Sequence, residues 1–182
     1  MSLLAAAAGE LAAVAAAMDE SALAPTVTAI ADARRIMVYG CGREGLMMRA
    51  LAMRLHHLGR TVCVQGDMGA FPLGPGDLFL CAAGPGVLPT GSALCRVAHA
   101  AGARVLVVTA EPDGETARMA DALLVIPAQT MARDQGGARS VLPMGSLFEG
   151  AMYLVFEVLV LRLRDVLGES AASMRARHTN ME

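Results

Sequence analysis

Apolar residues along the chain fall into two kinds of run: short, unbroken blocks of four to six residues, and longer stretches in which apolar and polar positions mix at helical spacing. The short blocks cover residues 36–39, 61–65, 77–82, 104–109 and 122–126 and read as strands. Strands this uniformly apolar, separated by helices, specify a parallel sheet covered on both faces and joined by right-handed crossovers. The longer stretches predict helices over 3–18, 21–33, 43–58, 90–101, 114–120 and 145–167, several closed by a glycine such as Gly59, Gly102 or Gly168. The expected fold is α/β: a three-layer αβα sandwich around a five-stranded parallel sheet, with an N-terminal helical extension. It forms one domain over 1–182, with helices at 1–33, the sheet core at 34–128 and a C-terminal helix and tail at 145–182. The Gly- and Pro-rich stretch 66–76 reads as a loop near the carboxyl edge of the sheet, and the polar stretch 129–140 as a mobile loop.

Two glycine-rich turns fall at strand ends: Gly40-Cys-Gly42-Arg43-Glu44-Gly45 after the first strand and Gly84-Pro85-Gly86 after the third. In an open parallel sheet, turns at these points flank the crevice in which an anionic small molecule is held, because backbone N–H groups of helix N-termini face it. The first turn also satisfies the G-x-G-x-x-G dinucleotide fingerprint, with Asp67 lying 22 residues beyond Gly45, where a ribose-binding acid belongs. No separate catalytic domain accompanies it, and a tight turn that needs glycine explains the same residues.

At 182 residues and 55% hydrophobic content the chain can bury one substantial core but not two ordinary α/β domains. Trp is absent and aromatics reach only 3%, so Ala, Val, Leu and 13 Met fill the interior, and the apolar excess points to a homo-oligomer. A net charge of -2 without a basic cluster or aromatic platforms excludes nucleic acid as a partner. Lys does not occur, which removes Schiff-base chemistry and a Walker-type phosphate lysine. Cys41, Cys63, Cys81 and Cys95 form no CxxC or zinc pattern and read as buried free thiols of a reducing cytoplasm. The first residues carry no positive leader, and Glu10 and Glu157 interrupt the apolar runs before they reach a span, so no membrane partner is expected and the compartment is cytoplasmic.

Four segments together, Val38-Tyr-Gly-Cys-Gly-Arg-Glu-Gly45, Ala52-Met-Arg-Leu-His-His-Leu-Gly59, Leu142-Pro-Met-Gly-Ser-Leu-Phe-Glu149 and Met174-Arg-Ala-Arg-His-Thr-Asn-Met-Glu182, resemble the sugar isomerase (SIS) domain family, and within it the 6-phospho-3-hexuloisomerases. The resemblance implies a flavodoxin-like strand order, a dimer or tetramer with sites shared between subunits, and a phosphorylated ketose as substrate. It implies isomerisation through an enediol, with Glu149 on the family's catalytic glutamate and His178 on a tail histidine that reaches the site from a neighbouring subunit. No metal or organic cofactor is implied. The substrate-binding candidates are Gly42, Arg43, Gly45, Gly84, Gly86, Thr90, Ser92 and Arg177.

The sequence departs from the family's pattern where phosphate binds. A second turn of the Ser-Gly-Ser-Gly-Glu-Thr type is replaced by Ala83-Gly-Pro-Gly-Val-Leu88, and Glu44 stands where a small hydroxyl residue is common. Each lost hydroxyl–phosphate bond removes about 1.5 to 3 kcal/mol. A carboxylate ~5 Å from a phosphate charge repels it by about 3 kcal/mol at an effective dielectric near ~20. Two readings therefore stand beside the isomerase: a SIS module that binds or senses a sugar derivative without catalysis, and a dinucleotide-binding protein. Single residues also carry plainer readings. Ser146-Leu-Phe-Glu149 matches a capping box for the last long helix, and His178 taken alone reads as a solvated tail residue.

Overall fold

The computed structural model describes residues 2–135 and 140–181 of the chain. Five strands, β1 (Ile36–Tyr39), β2 (Val62–Val64), β3 (Leu78–Ala82), β4 (Arg104–Thr109) and β5 (Ala122–Val125), form a parallel sheet in the order β2-β1-β3-β4-β5. Ile36 stands beside both Val62 and Leu78, Leu78 beside Arg104, and Leu106 beside Ala122. Because side chains alternate across a strand, the sheet feeds two separate cores. Ile36, Val38, Leu78, Leu80, Leu106 and Val108 enter one, while Met37, Phe79, Cys81, Val105 and Val107 enter the other.

The α-helices are α1 (Leu3–Ala17), α2 (Ala24–Asp32), α3 (Gly42–His57), α4 (Pro89–Ala100), α5 (Ser146–Val166) and α6 (Ala171–Ala176). The first core lies under α2, α3 and α5, and α5 is its centre. Leu147, Phe148, Ala151, Met152, Val155, Phe156, Leu159, Val160 and Leu163 recur on one stripe and are buried against α1, α2 and α3. The second face is covered by α4 and by irregular chain. The segment after β2 returns to β3 without a helix, and its Ala70, Phe71 and Leu73 pack on the second core in the place a crossover helix usually takes.

Two expectations need correction. The helix expected at 114–120 is only a 3-10 turn, Ala117–Met119. Its backbone is drawn elsewhere: Thr116 N–H donates to the Gly86 carbonyl at 3.0 Å, and a Cβ on Gly114 would lie 2.3 Å from that same oxygen. The helix expected over 21–33 starts as a 3-10 turn, Glu20–Leu23, before α2, because Pro25 removes a donor from its first turn. Within the tail, Ser170 and Ser173 form a reciprocal capping box that starts α6. Of the loop expected at 129–140, residues 136–139 lie outside those described, and Met131–Arg133 is a short 3-10 turn.

The amino edge of the sheet is closed by a buried carboxylate. Asp77 accepts from Arg34 at 3.0 Å, Arg35 at 2.8 Å and the Gly74 N–H at 2.9 Å, which ties the chain before β1 to the chain before β3.

Candidate active site

β1 and β3 are neighbours in the sheet, but the chain leaves them toward opposite faces, into α3 and α4. Open α/β sheets place their ligand crevice at such a reversal, outside the carboxyl ends of the strands. Both glycine turns sit there. A Cβ on Gly45 would lie 2.5 Å from the Gly40 oxygen, so the first turn closes only with glycine at these positions. It delivers Arg43 and Glu44 on the first turn of α3, directly across from the second turn.

The second turn meets them closely. The Gly84 N–H donates to Glu44 Oε2 at 3.0 Å, and a Cβ on Gly84 would lie 2.7 Å from both Glu44 Oε1 and the Phe148 ring. Two further donors of this turn are engaged by the protein as well: Gly86 N–H on the Ala83 carbonyl at 2.9 Å, and Leu88 N–H on Thr116 Oγ1 at 3.0 Å.

The third wall is the start of α5. Met144 and Gly145 both take left-handed backbone, φ 55° and 83°, which for Met144 costs about 1 kcal/mol. This turn aims the Met144 carbonyl and the Ser146 hydroxyl at Arg43, whose guanidinium donates to both, with Ser146 Oγ at 2.8 Å, and pairs through Nε with Glu149 Oε2 at 2.9 Å. The capping box expected of Ser146 and Glu149 is therefore not formed. Gly145 is the N-cap residue, Glu149 falls one position too late to reach back, and Arg43 draws both side chains away from the helix end.

The result is two carboxyl groups near one another with one cation between them and solvent. Burial pushes Glu149 above the ordinary carboxylate range, although Arg43 opposes the shift. Burial acts more strongly on Glu44 and raises it to about 7, against the pull of the Gly84 N–H and with a further push from the Glu149 charge. Glu149 keeps 15% of its side-chain surface exposed and Arg43 49%, so the pair faces the crevice mouth and is not sealed in the core.

The remaining candidates divide. Gly42 and Thr90 are exposed at the rim, and Gly45, Gly84 and Gly86 shape the turns. Ser92 is corrected: it is buried, its hydroxyl bonded to Thr116 Oγ1 at 2.8 Å, and it pins α4 beneath the second turn. Arg177 does not reach the crevice of its own chain. Its guanidinium holds Glu169 through two 2.8 Å bonds and the His57 carbonyl at 2.8 Å, tying the tail to the end of α3. His178 stacks near His57, ring centroids 5.1 Å apart, in an open groove of about 610 Å³ lined also by Arg54, Leu161, Arg164 and Arg175. Leu161 lies 12 residues along α5 from Glu149, roughly 18 Å at 1.5 Å per residue, so one chain does not bring His178 to Glu149. Asp67 pairs with Arg49 at 3.4 Å.

Tyr39 and Cys41 were not anticipated. They flank Gly40, with the phenol oxygen and Sγ 3.0 Å apart, and burial first, then Cys41, pushes the phenol up to about 12. The signal was their position at the end of the strand feeding the first turn. Among the described residues no three His, Cys, Asp or Glu side chains converge as a metal would require.

The fold is α/β with a crevice at the reversal between β1 and β3, and residues 29–153 match the SIS domain family. The chain belongs to that family. It is 38% identical over 173 residues to a 3-hexulose-6-phosphate isomerase of Mycobacterium gastri, covering 95% of this chain and 86% of the relative. A 3-hexulose-6-phosphate isomerase of Bacillus subtilis is 29% identical over 153 residues, covering 84% and 83%. Among solved structures, a Methanococcus jannaschii protein, whose structure infers a molecular function of 3-hexulose-6-phosphate isomerase, superposes with a TM-score of 0.83 at 20% identity, covering 98% of both chains.

Proposed function

We propose that the chain isomerises 3-hexulose 6-phosphate to fructose 6-phosphate, with Glu149 as the base. The observation that carries this reading is the Arg43–Glu149 pair: a half-buried carboxylate at the mouth of the switch-point crevice, released from helix capping and oriented by a guanidinium. The two relatives named for this reaction support the substrate class.

The carbonyl moves from C3 to C2. Glu149 removes the proton on C2, the electrons form the C2–C3 double bond of an enediolate, and the same carboxyl returns the proton to C3. A raised pKa strengthens Glu149 as a base for this transfer. The hydroxyl proton passes from O2 to O3 in the same interval, and the redox balance closes within the substrate. We assign that shuttle to His178 of a second copy, because within one chain it lines a groove with Leu161, roughly 18 Å along α5 from Glu149. Tyr153, Leu154 and Leu161 are exposed on α5 and supply apolar surface for such an assembly. Four free thiols fit a reducing cytoplasm, and no helix among the described residues is long and apolar enough to cross a membrane.

One observation favours a second reading, a SIS module that binds a sugar derivative without turnover: the Gly84 N–H is already occupied by Glu44. The test is conversion of 3-hexulose 6-phosphate followed for the chain and for Glu149→Gln. Turnover that the substitution abolishes supports the isomerase. An inert chain whose melting temperature rises with sugar phosphate supports the module instead.

A further inference from the structure

We propose that Glu44 sets which ligands the crevice accepts: its carboxyl, seated on the Gly84 N–H, takes up a proton when a phosphate enters, so that ligand and proton bind together. The inference rests on the sugar-phosphate reading above.

The geometry leaves little alternative. Glu44 Oε2 holds the Gly84 N–H at 3.0 Å, and Oε1 shares with the Phe148 ring the only space a Cβ on Gly84 would enter. A phosphate approaching this turn meets that carboxyl first. The charged and titratable groups around it do not offset its charge. Glu149 from α5 is a second acid, and Arg43 on Glu44's own helix is committed to Glu149, Ser146 and the Met144 carbonyl. From β3 comes the Cys81 thiol, and behind Gly86 lies Glu111, paired with Arg133. An ionised Glu44 therefore repels a phosphate from the backbone donor of the second turn that it occupies, the Gly84 N–H.

A protonated Glu44 does the reverse. A carboxylate only accepts hydrogen bonds, whereas a carboxylic acid also donates one. In that form Glu44 releases the Gly84 N–H and presents an O–H to a phosphate oxygen. One side chain thus supplies the hydroxyl donor that Ala83, Pro85 and Val87 cannot. Burial holds Glu44 near the pH at which both forms are populated, so the exchange is available under neutral conditions.

The experiment is calorimetric titration of fructose 6-phosphate into the wild type, Glu44→Gln and Glu44→Ser, each in two buffers of different ionisation heat. The phosphate's own protonation is common to all three, so differences between them belong to Glu44. At pH 8 the wild type is expected to take up nearly one proton more per ligand than Glu44→Gln. Between pH 6 and pH 8.5 its affinity should fall about 30-fold further than that of Glu44→Gln. Glu44→Ser should bind at least ~10-fold tighter than the wild type at pH 8.5, with no extra proton. Equal proton counts in a wild type that still turns over 3-hexulose 6-phosphate would overturn this inference and leave the isomerase standing. Failure of all three forms to bind at any pH would overturn both.

Discussion

Asp77 at the amino edge of the sheet and Glu44 at the carboxyl edge are both carboxyls taken out of water, yet they end in opposite states. Burial acts to raise the pKa of each. Around Asp77 the guanidiniums of Arg35 and Arg34 and the Gly74 N–H outweigh it and hold the group at about 2. Glu44 has one backbone donor and an acidic neighbour, so burial prevails and carries it to about 7. The donors that meet each carboxyl decide whether burial prevails. A fully satisfied carboxylate fixes two chain segments, whereas an under-satisfied one is poised to exchange its proton or its partner, as sites of function require.

Substitutions of acid by amide should separate the two edges. The largest effect is expected at Glu149: its Gln form should lose about 10³-fold in kcat, the scale of a general base. Its melting temperature should move by under about 3 °C, because a half-exposed ion pair contributes about 1 kcal/mol or less. Asp77→Asn should cost about 3 kcal/mol in chemical denaturation, since two arginines and a backbone N–H lose a charged acceptor. The wild-type contribution of Asp77 is present above about pH 4 and is lost as the pH falls toward 2.

Glu44→Gln should act with the opposite sign. A folded pKa raised above the ordinary value means that stability is lost as pH rises from 4.5 to about 7, so the amide should be more stable than the wild type by about 3 kcal/mol at pH 8 and equal to it at pH 4. A destabilised Glu44→Gln at pH 8 would break the comparison. The smallest effect is expected at Ser92→Ala, about 1 kcal/mol for a buried hydroxyl pair, with kcat and KM unchanged because Ser92 faces Thr116 and not the crevice.

What was legible in the sequence follows from the range of the interactions. The five strands and both glycine turns rest on neighbours a few positions apart, whereas the strand order β2-β1-β3-β4-β5 was legible only through the resemblance to the SIS family. The partners of the site side chains are distant. Arg43 finds Ser146 and Glu149 more than a hundred residues away, and that contact dissolved the capping box that local spacing favoured. Ser92 was a binding candidate because it lies near the start of the helix that follows the second turn, and only the fold reveals Thr116 behind it. Glu44 could be recognised as an intruding charge, but not as the occupant of the Gly84 N–H, forty residues on. The helix expected at 114–120 failed for a similar reason, since two backbones approach at Gly86 and Gly114 too closely for a regular turn.

The central contrast is open to one measurement: a pH titration of the side-chain carboxyl carbons by NMR, with the resonances of Asp77, Glu44 and Glu149 assigned. Asp77 is expected to titrate near 2, Glu149 above the ordinary 4.5 and Glu44 near 7. A Glu44 carboxyl that titrates at or below 4.5 would contradict the account, because the carboxyl edge would then be as fully compensated as the amino edge.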